Sequence, residues 1–210
     1  MGSPALTNPA TFTLMSLFKV NELTNQKETH TPASASVMGI THLAIGKVGQ
    51  KIDDVIGIIA PGESKHYASM GEWSTHDLLF HFLNQTGPAE VYFTTWAISE
   101  FAIRQLYAFV SSGLITKLSG IFDYRNGIHK PAELQFLKQI STDIKAAKCH
   151  AKVTVIENET WGISIVSSAN YTRNPRIEAG VICNSKEIAE FHKNWIVNEL
   201  NNTSDFERNK

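Results

Sequence analysis

The segment from residue 89 to residue 125 reads AEVYFTTWAISEFAIRQLYAFVSSGLITKLSGIFDYR, and its pattern changes twice. Val91–Trp96 is a compact β-branched and aromatic run, which is typical of a buried strand. Ser99 can cap a helix with one apolar side, and Gly113 can follow its last turn. Leu114–Phe122 then predicts a second strand. A strand, a helix and a strand in this order favour an α/β fold.

The same alternation continues on both sides of this segment. Helices are predicted after a cap at Ser74 or Thr75, at Pro131 as a first-turn residue, and after Ser185. Further strands are predicted at Val153–Ile156, Ile163–Val166 and Ile177–Ile182. We therefore expect a mixed β-sheet sandwiched between helices, with an N-terminal extension.

The expected organisation has four parts in chain order: a flexible N-terminal arm (1–38), N-terminal strands (39–70), one α/β catalytic domain (71–202) and a polar tail (203–210). The arm is rich in Thr, Ser, Asn, Ala and Pro and shows no sustained period. His42–Ile45 and Val55–Ala60 are short apolar runs separated by Gly and charged residues, so we interpret them as a hairpin.

Charge and composition narrow the classes of function. The chain has 19 basic and 20 acidic residues, so its net charge alone does not favour binding to a polyanion. The segment from residue 100 to residue 176, however, contains ten basic and six acidic residues. We see no apolar stretch of membrane-spanning length and no basic residue before the first apolar run, and we therefore expect a cytoplasmic protein without stable membrane association. Two cysteines are too few for a disulfide scaffold.

One cluster of residues indicates chemistry. His150 and Lys152 stand two apart in the segment CHAKVTVIE, so in a strand both would project to the same side. A titratable imidazole beside a fixed cation suits the binding of a phosphate. Ser168 and Asn170 are again two apart and add a hydroxyl and an amide. Glu178 supplies a carboxylate that could orient an imidazole.

These residues resemble the signature of the phospholipase D superfamily: His-x-Lys, an acidic residue, then Ser-x-Asn-Tyr-Thr and a downstream Glu. The resemblance is to its small nucleases that carry a single copy of the motif. It is tight over residues 148–183, looser over 72–147, and absent before about residue 70. Two features depart from the family pattern: Glu157 stands where Asp is usual, and the hairpin before Ser168 is longer, with Ser167 in place of a common Gly.

The resemblance implies a metal-independent phosphodiesterase that needs no cofactor. In the family, the motif His forms a phosphohistidine intermediate and a second motif His protonates the leaving group. His150 would be the nucleophile, Lys152 and Asn170 would bind phosphate oxygens, Ser168 would assist, and Glu178 would orient the imidazole. Glu157 would complete the catalytic set as the acidic member of the motif.

A partner chain is also implied, since no second His-x-Lys occurs in this sequence. A homodimer in which two copies of His150 share one groove is the simplest arrangement. We expect DNA or RNA as substrate because positive charge is concentrated around the motif. Two alternatives stay open: a nucleic-acid-binding member with weak or no turnover, and a phospholipid-acting hydrolase or transferase.

Residues outside the motif complete the set of candidates. Arg173 and Arg176 follow the Asn170 loop and could clamp flanking phosphates, and Trp161 could touch substrate from the hairpin. Asp77 and His81 are one helical turn apart, as metal ligands can be. No third ligand is evident near them, so we expect ordinary capping or half-buried roles and no metal site.

Overall fold

The computed structural model describes residues 39–46, 51–173 and 175–202, so the predicted arm and polar tail lie outside the described residues. The elements in chain order are β1 (Ile40–Gly46), α1 (Ile52–Val55), β2 (Glu63–Ser69), α2 (Thr75–Thr86), β3 (Ala89–Thr95), α3 (Glu100–Ser111), β4 (Ile115–Asp123), α4 (Tyr124–His129), α5 (Pro131–Ile140), β5 (Asp143–Ala147), β6 (Val153–Glu157), β7 (Gly162–Ser167), β8 (Glu178–Asn184) and α6 (Lys186–Asn201).

The described strands form one eight-stranded sheet in the order β1-β2-β8-β7-β6-β3-β4-β5. β1 and β2 are parallel to each other, as are β3, β4 and β5, and the remaining neighbours are antiparallel. The sheet is therefore mixed, which confirms the predicted α/β class.

The helices form where side chains can satisfy their first backbone N–H groups. Ser74 and Asp77 form a reciprocal capping box at the start of α2. The Ser99 hydroxyl accepts a hydrogen bond from the Ala102 N–H at the start of α3, at 3.2 Å. Gly113 follows α3 with a φ of 75°, a conformation that favours glycine at a helix end. The predicted starts of both helices are confirmed.

Apolar side chains bury both faces of the sheet. One cluster joins α2, α3 and α5 to the sheet through residues such as Leu79, Leu106 and Phe93. A second, smaller cluster joins α6 to the central strands through Ile196, Tyr92 and Val155. Because the side chains of a strand alternate between faces, Tyr92 and Phe93 serve opposite clusters.

The predicted hairpin of His42–Ile45 and Val55–Ala60 is wrong. The first run is part of β1. In the second run, Val55 ends the short helix α1 and residues 56–60 form no strand. β1 instead pairs in parallel with β2, which was not predicted. The sequence of β2, ESKHYAS, is too polar to be read as a strand. It nevertheless joins the same sheet as the strands of residues 71–202 through its pairing with β8.

The strand directions bring several strand ends together at one edge of the sheet. β2, β3, β4, β5 and β7 end there, whereas β6 and β8 begin there. The candidate residues His150 and Lys152, which precede β6, therefore lie at the same edge as the residues that follow β7 and those that begin β8. Functional sites in α/β proteins are commonly found where the ends of several strands of the sheet meet.

Candidate functional site

His150 and Lys152 lie in the connection between β5 and β6, not in a strand as predicted. Strand alternation therefore does not align their side chains. Lys152 instead turns back, and its Nζ donates a hydrogen bond to the backbone carbonyl of His150 at 3.0 Å. His150 is exposed, and no hydrogen bond reaches its imidazole from the described residues. The imidazole is accessible to a substrate from solvent.

The backbone at Lys152 is held between the two strands that flank β6. The Ser167 N–H donates to the Lys152 carbonyl at 3.0 Å, and the Val153 N–H donates to the Thr94 hydroxyl at 3.1 Å. Lys152 is half-buried, and this burial lowers the pKa of its ammonium group while the nearby charge of Glu178 opposes the change. Its position is therefore set by the sheet rather than by a mobile loop.

The segment after β7, residues 168–171, crosses the start of β6. At one end, the Ser168 N–H donates to the Ala179 carbonyl on β8 at 2.9 Å. At the other end, the Tyr171 N–H donates to the Ala97 carbonyl after β3 at 3.2 Å. The Thr75 hydroxyl at the start of α2 donates to the Ala169 carbonyl at 2.8 Å. Contacts to three elements thus fix this segment over the entry to β6.

Tyr171 anchors the same segment to the core. Its side chain is fully buried, and its hydroxyl shares a hydrogen bond of 2.6 Å with the buried Thr154 hydroxyl on β6. Burial raises the pKa of Tyr171, so this hydroxyl stays neutral and able to donate. A second link runs from the Tyr67 hydroxyl to the Ser167 hydroxyl, at 2.9 Å. The backbone on both sides of Ser168 and Asn170 is therefore rigidly placed.

Asn170 presents its amide in a defined orientation. Its Oδ1 accepts hydrogen bonds from the Ala97 N–H at 3.3 Å and from the Thr95 hydroxyl at 3.4 Å. In the described part of the chain, its Nδ2 makes no hydrogen bond. Because Oδ1 is used by the protein, Nδ2 is left as a donor for an external acceptor such as a phosphate oxygen.

Ser168 and Glu178 contact each other directly. The Ser168 hydroxyl donates to the Glu178 carboxylate and accepts from the Ala179 N–H at 3.0 Å. The predicted pairing of Glu178 with the His150 imidazole is not present among the hydrogen bonds of the described residues. Glu178 instead holds Ser168, on the side of the segment away from β3.

Three residues next to His150 were not among the predicted site residues: Trp96, Asp123 and Arg125. The Trp96 ring lies 6.5 Å from the His150 ring, and the Arg125 guanidinium lies 5.9 Å from the Trp96 ring centre. Asp123 is 1% exposed and accepts from the Arg125 side chain and from the Cys149 N–H. Trp96 directly follows β3, Asp123 ends β4, and Arg125 comes just after it. Their positions at the ends of parallel strands could have identified them from sequence.

Cys149 offers little as a nucleophile at this edge. It is half-buried, and burial raises the pKa of its thiol, which keeps the thiol neutral near pH 7.

His150 borders two cavities. One, of about 580 Å³, extends toward Trp195 and Glu199 on α6. The other, of about 340 Å³, is lined with Arg125 and Lys148 among others.

Glu157 and Trp161 lie at the opposite edge of the sheet from His150. Glu157 ends β6, about 13 Å along the strand from Val153, and its carboxylate pairs with Lys193 on α6. Trp161 follows the turn between β6 and β7 and packs against the larger apolar cluster. The structure does not bring these two predicted site residues together with the others.

The two predicted arginine clamps differ in their surroundings. The Arg173 guanidinium lies 5.3 Å from the Phe101 ring centre. Arg173 also borders a separate cavity of about 420 Å³ that Asp53, Glu72 and Asp77 line too. Arg176 is exposed beside Gly71, at the same edge of the sheet as His150. Both residues remain candidates for contact with a long polyanion, but their side chains are not fixed beside His150.

Asp77 and His81 do not converge on a common point. The Asp77 carboxylate accepts from the Ser74 N–H and hydroxyl, as a helix cap. His81 contacts the Asp53 carboxylate at 2.7 Å and the Gly57 carbonyl at 2.9 Å. No group of three potential metal ligands occurs among residues 39–46, 51–173 and 175–202.

Within those ranges, no helix combines the length and apolar character needed to cross a membrane.

No family model matches the chain, and no curated protein matches it. The polyphosphate kinase from Porphyromonas gingivalis superposes with a TM-score of 0.48 at 16% identity, over 69% of this chain and 27% of that chain. The archaeal chromatin protein TrmBL2, described with a novel mode of DNA binding, gives a TM-score of 0.44 at 10% identity, over 64% and 51%. The chain thus spans about a quarter and about half of these two chains, and the likeness concerns the fold alone.

Proposed function

We propose that this chain is a metal-independent phosphodiesterase that cleaves DNA or RNA through a phosphohistidine intermediate on His150. The observation that supports this most directly is the anchored segment 168–171 across the entry to β6. It holds Asn170, whose Nδ2 makes no hydrogen bond within the described residues, at the same edge of the sheet as Lys152 and the accessible His150. A nucleophile and two phosphate donors on rigid backbone suit in-line phosphoryl transfer.

The proposed reaction has two displacements at phosphorus. An imidazole nitrogen of His150 attacks the phosphorus, the nitrogen–phosphorus bond forms, and the bond to the leaving alcohol oxygen breaks. A second imidazole donates a proton to that oxygen. Water then attacks the phosphohistidine, the second imidazole takes a proton from the water, and the nitrogen–phosphorus bond breaks. His150 is regenerated and a phosphate monoester leaves.

We name the edge of the sheet that holds His150 the catalytic edge. The donors there would stabilise the charge on the phosphorus oxygens. Lys152 exchanges its hydrogen bond to the His150 carbonyl for one to phosphate, because a phosphate oxygen is the stronger acceptor. Asn170 donates through Nδ2. Glu178 holds the Ser168 hydroxyl in place, instead of orienting the His150 imidazole as the sequence predicted. These fixed donors need little reorganisation during the reaction.

A polynucleotide is the substrate class that the charges favour. Among the described residues, the basic side chains at the catalytic edge include Arg125, Lys148, Lys152, Arg173 and Arg176. The fully buried Asp123 neutralises part of this charge through Arg125, Glu178 adds a carboxylate, and Asp53, Glu72 and Asp77 line the cavity that Arg173 borders. The cations near His150, together with Arg173 and Arg176 elsewhere on the same edge, attract a chain of phosphates more strongly than a single phosphate headgroup does.

The first prediction concerns metal removal. The purified chain is expected to cleave a fluorescent oligonucleotide at the same rate in EDTA as in Mg²⁺, because Lys152 and Asn170 supply the charge stabilisation within the protein. Product formation on a denaturing gel measures the rate. An activity lost in EDTA and restored by Mg²⁺ would contradict the proposal. Binding without cleavage would favour the non-catalytic alternative, and release of choline from vesicles would favour the lipid alternative.

The second imidazole is proposed to be His150 of another copy. The sequence holds one His-x-Lys motif, and His150 is exposed at the catalytic edge, where a twofold axis can bring two copies together. The Lys152 and Asn170 donors of both copies would then surround one phosphate. This arrangement makes the active site a property of the dimer.

Mixing two kinds of chain tests the shared site. If wild-type and His150→Ala chains are unfolded together in equal amounts and refolded, about one quarter of the activity is expected to remain, because only wild-type pairs hold two imidazoles. Independent sites would retain about one half. Sedimentation of the refolded mixture confirms that dimers formed. A retained half, or full activity in a monomer, would exclude the shared site.

A further inference from the structure

Arg125 is the most firmly held exposed cation next to His150. Its Nε donates to the Asp123 carboxylate at 3.0 Å and its Nη2 at 3.3 Å, and its backbone N–H donates to the same group at 3.1 Å. Its guanidinium lies 5.9 Å from the ring centres of both Trp96 and Tyr124. The side chain is nevertheless 53% exposed. Its orientation is therefore fixed while part of it faces solvent.

The hydrogen bonds of Arg125 leave donors unused. A guanidinium has five N–H groups, and the two bonds to Asp123 use one from Nε and one from Nη2. Among the described residues, Nη1 has no hydrogen bond. A planar donor group with one side occupied by a carboxylate can still bind an anion with its other side.

The space in front of Arg125 is shared with the proposed nucleophile. The cavity of about 340 Å³ is lined by Asp123, Tyr124, Arg125, Lys148, Cys149 and His150. This volume is at the lower end of those typical for small-ligand sites. Among its described lining residues, Asp123 is the one acidic group, and that group is buried and already paired with Arg125. The accessible charge in this cavity is positive.

We propose that this cavity is a second phosphate subsite, in which Arg125 binds the phosphate adjacent to the one that His150 attacks. The proposal rests on the proposed function and names the substrate more closely: a chain with at least two successive phosphates. Asp123 acts as a positioning residue, because one buried carboxylate holds both Arg125 and the backbone of Cys149 beside His150. Trp96 supports the guanidinium from the β3 side.

Short substrates with one or two phosphates test the subsite. The set is a thymidine dinucleotide with a single phosphodiester, the same dinucleotide with a 5′-phosphate, and the same with a 3′-phosphate. The wild-type chain is expected to show kcat/KM about tenfold higher for one of the two phosphorylated forms, as one charge-assisted contact provides. In Arg125→Gln this ratio is expected to fall to about one, and Arg125→Lys should restore part of it.

Arg104→Gln is the matched control. Arg104 is exposed on α3 and pairs with Glu100 one turn away, so the same change of residue removes a cation that does not line the cavity. Its ratio of kcat/KM is expected to stay at the wild-type value. A ratio of one in the wild-type chain, or an unchanged ratio in Arg125→Gln, overturns the subsite while leaving the proposed function intact.

A binding measurement keeps the subsite testable if no substrate is cleaved, an outcome that would contradict the proposed function. The affinity for a fluorescent oligothymidylate is measured at several salt concentrations. Removal of one phosphate contact in Arg125→Gln is expected to reduce the slope of log K against log salt by about one. An unchanged slope overturns the subsite. Circular dichroism of each variant confirms that it is folded.

Discussion

Replacement of His150 by alanine is expected to lower kcat/KM for an oligonucleotide by at least about 10³-fold, because it removes the imidazole that is proposed to form the phosphorus–nitrogen bond. Affinity for the uncleaved oligonucleotide should change little, since the phosphate donors Lys152 and Asn170 remain. His150 is exposed, so the substitution leaves the core intact. Initial rates and fluorescence anisotropy measure the two quantities.

His42→Ala is the matched control for this variant, because His42 is also exposed but lies on β1 and contacts Glu63. It should retain full activity. Rapid quenching of the wild-type reaction in base should also trap a phosphorylated chain, and His150→Ala should not be labelled. Substantial cleavage by His150→Ala, or a label that persists in it, would show that another residue is the nucleophile.

Replacement of Asn170 by aspartate is expected to lower kcat by about 10²- to 10³-fold, the cost of losing one oxyanion donor. The two side chains have nearly the same shape, so the new carboxylate can still accept hydrogen bonds from Ala97 and Thr95. It cannot donate to a phosphate oxygen, and its charge repels that oxygen. Steady-state kinetics measure the loss.

Thermal unfolding separates this effect from misfolding. The melting temperature of Asn170→Asp should stay within a few degrees of wild type, because the anchors at Tyr171 and Ala169 do not involve the changed group. Asn194→Asp, at an exposed position on α6, is the control for the added negative charge and should keep its activity. Normal turnover by Asn170→Asp would remove Asn170 from the proposed site.

The elements with strong local signals could be predicted from sequence. β3, α3 and β4 each combine an apolar pattern with a recognisable start or end, such as the Ser99 cap. β2 could not be predicted, because three of its seven residues are Glu, Lys and His and only Tyr67 among its hydrophobic residues is deeply buried. Its strand state depends on pairing with β1 and β8, which are distant in sequence.

The assignment of the site residues stays a prediction. The hairpins of β6, β7 and β8 bring the residues that follow β7 and those that begin β8 to the edge of the sheet where Lys152 lies. Glu157 was grouped with His150 because the family motif that the sequence resembles has an acidic residue at this position, but an extended strand carries it to the opposite edge. Arg125 and Trp96 were missed as site residues because they reach His150 only through the parallel pairing of β3 and β4.

The sequence by itself determined the α/β class and the set of chemical groups, since hydrophobic period, capping residues and the His-x-Lys spacing are local properties of the chain. Only the tertiary structure decided which groups meet. Sheet order brings the ends of β3, β4, β5 and β7 to the starts of β6 and β8, and long-range hydrogen bonds join Asn170 to Ala97 and Lys152 to Ser167. Such contacts join residues far apart in sequence, so no local pattern contains them.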